Sequence, residues 1–318
     1  MRPIIQASLL SLSGIFLISC AAATPAPTAT AIPPTAEPTP TKRPPEVFTL
    51  VPEIDSATGG VTVDAEGNIY SADFGTPDQP GNTVYKITPD GEVSVFLQSD
   101  EIDTASGNAF DSQGNYYQSS FATNSIFRFT PDGELTEFVS QGILGPVGIA
   151  IDADDTLYVA NCNSDSIQKV TQDGESTRIA SGSPLNCPNG IVFGPDGNLY
   201  VANFRSGNVV KVTPDGETSQ FARIPGFNNG HITYYDGLFY VISRGGHRIH
   251  TIDLDGNIDL LAGTGSRGTQ DGPLLAAEFS LPNGIAISPD GTELYINMTL
   301  ELESQGTRPV SIRVIVLP

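Results

Sequence analysis

From residue 46 onward, short apolar runs alternate with clusters of Gly, Pro, Asn and Asp, and no stretch holds a helical hydrophobic period. One copy of the pattern reads Pro188-Asn189-Gly190-Ile191-Val192-Phe193, then Pro195-Asp196-Gly197-Asn198, then Leu199-Tyr200-Val201-Ala202-Asn203. It continues through Asn208 to Thr213, a Pro214-Asp215-Gly216 turn and a last strand over Thr218 to Ala222. Tyrosines of the second strand fall at Tyr70, Tyr117, Tyr158, Tyr200, Tyr240 and Tyr295, spaced by 47, 41, 42, 40 and 55 residues. An independent marker, Asp90, Asp132, Asp173, Asp215 and Asp255, keeps spacings of 42, 41, 42 and 40. Each Asp-Gly between apolar strands is a hairpin signal, because tight turns need a residue at positive φ. Six copies of a four-stranded unit at this period predict an all-β, six-bladed β-propeller with four antiparallel strands per blade.

The last copy holds three strands only, Ile285–Ser288, Leu294–Met298 and Val310–Leu317, while Glu46 to Leu50 stands as an unassigned strand ahead of the first copy. Pairing the two closes the ring and removes its exposed edges. In such a ring the first-to-second and third-to-fourth strand turns share one face. The second-to-third strand loops and the blade-to-blade connectors share the other, called the top here; these are longer and irregular, as functional loops on repeat scaffolds are.

The residue before each first-strand glycine is expected at the top mouth of the central channel: Gly59, Ser106, Val147, Asn189, Asn229 and Asn283. Two positions on, the ring reads Val61, Asn108, Ile149, Ile191, His231 and Ile285, polar only in the opposed second and fifth blades. Asp73, Asn161, Asn203, Arg205, Arg244 and His247 are expected on the same face. A polar pocket walled by Asn189, Asn229 and Asn283, with His231 just below and Asn108 opposite, is the resulting ligand-site expectation; Asn161, Asn203, Arg205 and Arg244 extend it, and His231 is the candidate catalytic group. The asparagines equally suit strand caps, since Asn tolerates left-handed backbone. His231 equally suits a hydrogen-bonded histidine between blades.

The interval Gly263-Thr264-Gly265 through Asp271-Gly272 to Pro282-Asn283-Gly284-Ile285 resembles the long inter-blade connector of NHL-repeat proteins, and Gly246-His247-Arg248-Ile249 resembles their Asn-His-Arg-Ile segment. Residues 46–318 are thus similar to the NHL and senescence-marker-protein/gluconolactonase group of propellers. That resemblance implies a divalent cation, commonly calcium, at the channel mouth, held by oxygen ligands and polarising a lactone carbonyl. Asn189, Asn229 and Asn283 match its asparagine ligands. Gly59 stands where the group's first-blade Glu belongs, and no Asp enters the ring, so Glu53, Asp55 and Asp73 are the acidic residues left to reach it. No histidine pair has zinc spacing, and no Gly-x-Ser-x-Gly, phosphate loop, His-Glu-x-x-His or Cys-x-x-Cys occurs. No cofactor is firmly implied.

Ahead of the repeats, Arg2 precedes an apolar run from Ile4 to Ile18, short for a bilayer span and suited to a signal-peptide core. Leu17-Ile18-Ser19-Cys20 resembles the lipobox of bacterial lipoproteins, which implies cleavage before Cys20 and acylation of it. Ala21 to Pro45, rich in Ala, Thr and Pro, reads as an extended stalk reaching on the order of 75 Å. The expected organisation is therefore residues 1–19 signal peptide, 20–45 lipidated cysteine and stalk, and 46–318 propeller, outside the cytoplasm and held to the membrane by lipid alone. With Cys20 modified, an even pair remains. Cys162 and Cys187 fall in top-face loops of adjacent blades, and export favours their disulfide.

The chain of 318 residues carries 36 acidic against 15 basic residues, a net charge of −21. Such a surface repels phosphate backbones, so nucleic acid is a poor partner. A monomer that binds a small molecule, glycan or protein on its top face is the leading expectation. The alternative is a divalent-metal-dependent hydrolase of lactones or esters.

Overall fold

The structure, a computed structural model, describes residues 43–76, 78–300 and 309–318. The signal-peptide segment, Cys20 and almost all of the stalk lie outside the described residues. After β1 (Glu46–Ile54), the first blade is β2 (Val61–Val63), β3 (Ile69–Ala72), β4 (Thr83–Ile87) and β5 (Val93–Gln98). The second is β6 (Ala105–Phe110), β7 (Tyr116–Ser120), β8 (Ser125–Phe129) and β9 (Leu135–Val139). The third is β10 (Pro146–Ile151), β11 (Leu157–Asn161), β12 (Ser166–Val170) and β13 (Ser176–Ser181). The fourth is β14 (Pro188–Phe193), β15 (Leu199–Asn203), β16 (Asn208–Val212) and β17 (Thr218–Arg223). The fifth is β18 (Asn229–Tyr235), β19 (Leu238–Ser243), β20 (Arg248–Asp253) and β21 (Ile258–Ala262). A two-residue strand β22 (Gly272–Pro273) then precedes β23 (Pro282–Ile287), β24 (Glu293–Thr299) and β25 (Val310–Val316) of the sixth blade.

The sixth blade is completed by β1, which pairs antiparallel with β25, Val47 opposite Ile315 and Ile54 opposite Val310. The chain is therefore a six-bladed propeller closed by its N-terminal strand. Buried Arg313 of β25 donates to the carbonyls of Glu278 (3.0 Å) and Gln270 (3.2 Å) and to the Asp271 carboxylate. Asp271 in turn accepts from the Thr49 amide and hydroxyl at 3.1 and 3.0 Å, so the long connector, β25 and β1 are tied at one point. Asn297 of β24 reaches into the first blade, its amide donating to the carbonyls of Ala57 (2.6 Å) and Gly59 (2.9 Å).

The tyrosine marker has a local cause, an aspartate in the turn between the first and second strands. Asp64 opens the turn after β2 and accepts from the amides of Glu66 and Asn68 and from the Tyr70 hydroxyl at 2.9 Å. Asp111 does the same for Gln113, Asn115 and Tyr117, which is why an aspartate and a tyrosine recur together. Apolar clusters fill the boundaries between consecutive blades, including the closing one, where Val51, Ile54, Val310, Ile312 and Val314 pack on Val61, Ile69 and Ile87.

At the axis the innermost strands meet through glycine. A Cβ on Gly107 would stand 2.0 Å from the Val147 carbonyl oxygen, and one on Gly60 would stand 2.8 Å from the Cα of Gly107. Such contacts forbid a side chain and let the backbones close the channel to a waist.

The fifth blade departs from the expected register. In the other five, the residue directly after the glycine pairs with the residue after the marker tyrosine: Val61 with Ser71, Asn108 with Gln118, Ile149 with Val159, Ile191 with Val201 and Ile285 with Ile296. In the fifth, Val241 pairs with Ile232, two residues past Gly230. The cause is the turn. Tyr235 pairs with Leu238 around Asp236 and Gly237, both at positive φ, a two-residue hairpin shorter than its counterparts. His231 consequently stands at the glycine level, Gly230 at the level of Asn189, and Asn229 at the level of Pro188.

Candidate functional site

The top face holds a cavity of about 330 Å³ at the channel mouth. Its floor comes from the starts of the inner strands: Thr58, Ser106, Val147, Asn189 and Asn283. Its walls come from the residues that follow the second strands: Phe74, Phe121, Cys162, Phe204 and Arg244, with Asn163, Cys187 and Arg205 beside them. A disulfide joins Cys162 to Cys187 and links the third blade's loop to the connector into the fourth. With Val147 and the rings of Phe121 and Phe204 it forms an apolar surface on that side.

The floor amides are anchored. Asn189 donates its side-chain NH to the Asn229 carbonyl at 3.0 Å, and Asn283 donates to the carbonyls of Thr58 (2.8 Å) and Gly59 (3.3 Å). With the nitrogens committed, the side-chain oxygens are the acceptors left for a ligand. Of the two guanidiniums, Arg244 donates to the Leu281 carbonyl at 2.8 Å and is half-buried, whereas Arg205 is exposed.

Several expected residues stand elsewhere. Asn229 does not line the cavity: the register slip places it one step up the strand, where it is fully buried and its amide reaches the Asn208 carbonyl at 3.4 Å. Asn161 and Asn203 are also fully buried, and both their ends hold connectors. Asn161 accepts from the Leu144 amide and donates to the Gly142 carbonyl; Asn203 accepts from the Asn186 amide and donates to the Pro184 carbonyl. His247 accepts from the Leu281 amide through Nδ1 and does not line the cavity.

His231 and Asn108 lie below the glycine waist, in a second cavity of about 280 Å³ walled by Val61, Ile149, Ile191, Ile232 and Ile285. Neither touches the upper cavity, so the expected single pocket is two chambers. Burial holds the His231 imidazole neutral, its pKa pushed down to about 4, and its Nε2 has no hydrogen-bond partner among the described residues.

Sequence reasoning passed over the phenylalanine wall. Phe74, Phe121 and Phe204 each stand four residues past a marker tyrosine, as do Cys162 and Arg244. The repeat period would have found them had the loops been aligned as well as the strands.

The divalent cation implied by the gluconolactonase resemblance does not fit this donor set. No carboxylate among the described residues lines the upper cavity, Glu53, Asp55 and Asp73 included, and two guanidiniums do. Among the described residues no group of three or more His, Cys, Asp or Glu side chains is placed to hold a metal ion.

Fold and cavity together define a six-bladed propeller with a top-face pocket at its axis. Over residues 47–262 the chain matches the virginiamycin B lyase family, and it belongs to that family. Among solved structures it resembles a catalytically inactive variant of virginiamycin B lyase from Staphylococcus aureus with quinupristin. The identity is 18%, the TM-score 0.59, and 85% of this chain and 99% of that one are covered. It also resembles a gluconolactonase from Xanthomonas campestris, at 18% identity, TM-score 0.64, with 86% and 89% covered. An auxiliary nutrient binding protein from Bacteroides thetaiotaomicron is similar at 13% identity, TM-score 0.68, with 88% and 78% covered. No curated protein matches the chain.

Proposed function

We propose that this protein is a lipid-anchored propeller outside the cytoplasm that binds a small organic molecule in the top-face cavity. One observation carries the proposal. The cavity wall combines three phenylalanines, two arginines and anchored asparagines, and among the described residues it holds no carboxylate, imidazole or free thiol. Such a wall supplies apolar contact, hydrogen bonds and charge for recognition, but no group with the pKa of a general base or nucleophile. A binding role is in keeping with two structural neighbours, one holding quinupristin and one described as a nutrient binding protein. The anchor rests on the apolar run before Cys20 and the stalk after it, and the disulfide suits an oxidising compartment.

The test is a ligand-observed NMR screen of small aromatic, peptidic and sugar fragments, run on the wild type and on Phe74→Ala/Phe121→Ala. Hits that vanish in the double variant while its fold is retained support the proposal. Hits indifferent to both rings place binding elsewhere and overturn it. Release of the protein from the membrane fraction by Cys20→Ser checks the anchor.

A further inference from the structure

Resting on the binding role proposed above, we infer that the ligand of the top-face cavity is an organic anion with an aromatic body, its carboxylate-type group at Arg205 and its ring against Phe74 and Phe121.

The two kinds of wall face each other. Phe74 and Phe121 come from the first and second blades, their ring centroids 5.7 Å apart and tilted by 54°. Arg205 and Arg244 come from the fourth and fifth blades, diametrically opposite in a six-fold ring. A molecule spanning the mouth meets aromatic faces at one end and guanidinium at the other.

Arg205 is the informative residue. It lines the cavity, is exposed, and its guanidinium makes no hydrogen bond or ion pair with any described residue, so its donors are available to a ligand. A guanidinium fork over an apolar cavity recognises a planar anion through paired, charge-assisted hydrogen bonds. Burial, then Arg267 and Arg244, hold the neighbouring His247 below its ordinary pKa, so the imidazole adds no carboxylate-like partner there. An organic cation would meet repulsion at Arg205, and a neutral sugar would accept its hydrogen bonds but leave its charge uncompensated.

The phenylalanine pair also borders a second space. A further cavity of about 360 Å³ shares Phe74, Phe121 and Asn163 with the first and is otherwise lined by Gly75, Thr76, Thr104, Ala122 and Asn124. Among the described residues no charged side chain lines it, so it suits a neutral extension of the aromatic body.

The probes are a matched pair, 3-phenylpropionate and its neutral amide, titrated by NMR into the wild type and Arg205→Gln. The expected result is that the acid binds the wild type about tenfold more tightly than the amide, the scale of one charge-assisted contact. Added salt should shrink that preference, and Arg205→Gln should abolish it without moving the amide. Equal binding of acid and amide, a preference surviving in Arg205→Gln, or no binding of the acid overturns the anion assignment. Neutral hits from the fragment screen that depend on the phenylalanine pair would still support the cavity's binding role, so the two ideas fail separately.

Discussion

His231 packs against Gly190 at the place where every other blade supplies a glycine: a Cβ on Gly190 would stand 2.5 Å from the His231 Cα. The imidazole below that contact is buried, and its pKa falls from 6.5 to about 4. As pH drops, the unfolded chain therefore takes up this proton before the folded protein does. Stability is intact above about pH 6.5 and declines from there through pH 4, by at most about 3 kcal/mol. Urea unfolding near neutrality and near pH 4.5 should show a larger acid loss in the wild type than in His231→Gln. His250, also lowered by burial, is present in both proteins and cancels. Identical acid losses would remove His231 as the source.

The position of His231 shows what the sequence reveals and what it conceals. Blade number and strand order follow from the spacing of the second-strand tyrosines and of the Asp-Gly turns, and the closing role of Glu46 to Leu50 from a last copy with three strands only. Register within a blade is set by turn length, and a slip of one residue reassigns every side chain. Gly230 keeps the usual distance of ten residues from Tyr240, so the slip does not alter the period. It is visible only in Tyr235-Asp236-Gly237-Leu238, a two-residue hairpin where the fourth blade has Pro195-Asp196-Gly197-Asn198. That one turn removes Asn229 from the cavity. The separation of the two chambers was likewise hidden, because it depends on how closely glycine backbones of different blades approach.

The waist makes a sharp contrast between glycines. Gly107→Ala would drive a Cβ to 2.0 Å from a carbonyl oxygen of the next blade and should destabilise by about 3 kcal/mol, through strain between blades. Gly133→Ala meets nothing within 4 Å and suffers only from φ of +89°, a penalty of about 1 kcal/mol. Thermal unfolding of the two variants should order them accordingly. Equal loss would mean that the inner strands relax apart.

Ring closure should respond to Asp271 although that carboxylate is half-exposed. Arg313 is wholly buried, and Asp271→Ala removes its one carboxylate partner among the described residues, leaving the Glu278 and Gln270 carbonyls, the Met298 sulfur and the Phe279 ring, while also freeing Thr49. A loss on the order of 2 kcal/mol is expected, below the full penalty for a stranded buried charge because solvent reaches one side. Deleting residues 46–50 should do more, since the sixth blade then exposes an unpaired edge. Deleting residues 21–40 should leave the melting temperature unchanged. If the two truncations melt alike, β1 does not close the ring.

The disulfide is the last element to test, because it acts on stability and on the cavity together. Cys162 and Cys187 are 25 residues apart and lie in the wall of the upper cavity, on the elements that carry Asn163 and Asn189. A cross-link closing a loop of that length limits the unfolded chain, by roughly 3–4 kcal/mol in the chain-entropy account. Cys162→Ser/Cys187→Ser should lower the unfolding free energy by about that amount, in step with chemical reduction of the wild type. It also replaces an apolar bridge beside Val147, Phe121 and Phe204 with two hydroxyls. Binding of an aromatic probe should weaken accordingly, whereas a purely structural bond would leave the variant, once folded, with unchanged affinity. Thiol labelling of the denatured, unreduced wild type should find no reactive pair; two free thiols would show that the bond does not form in the isolated protein.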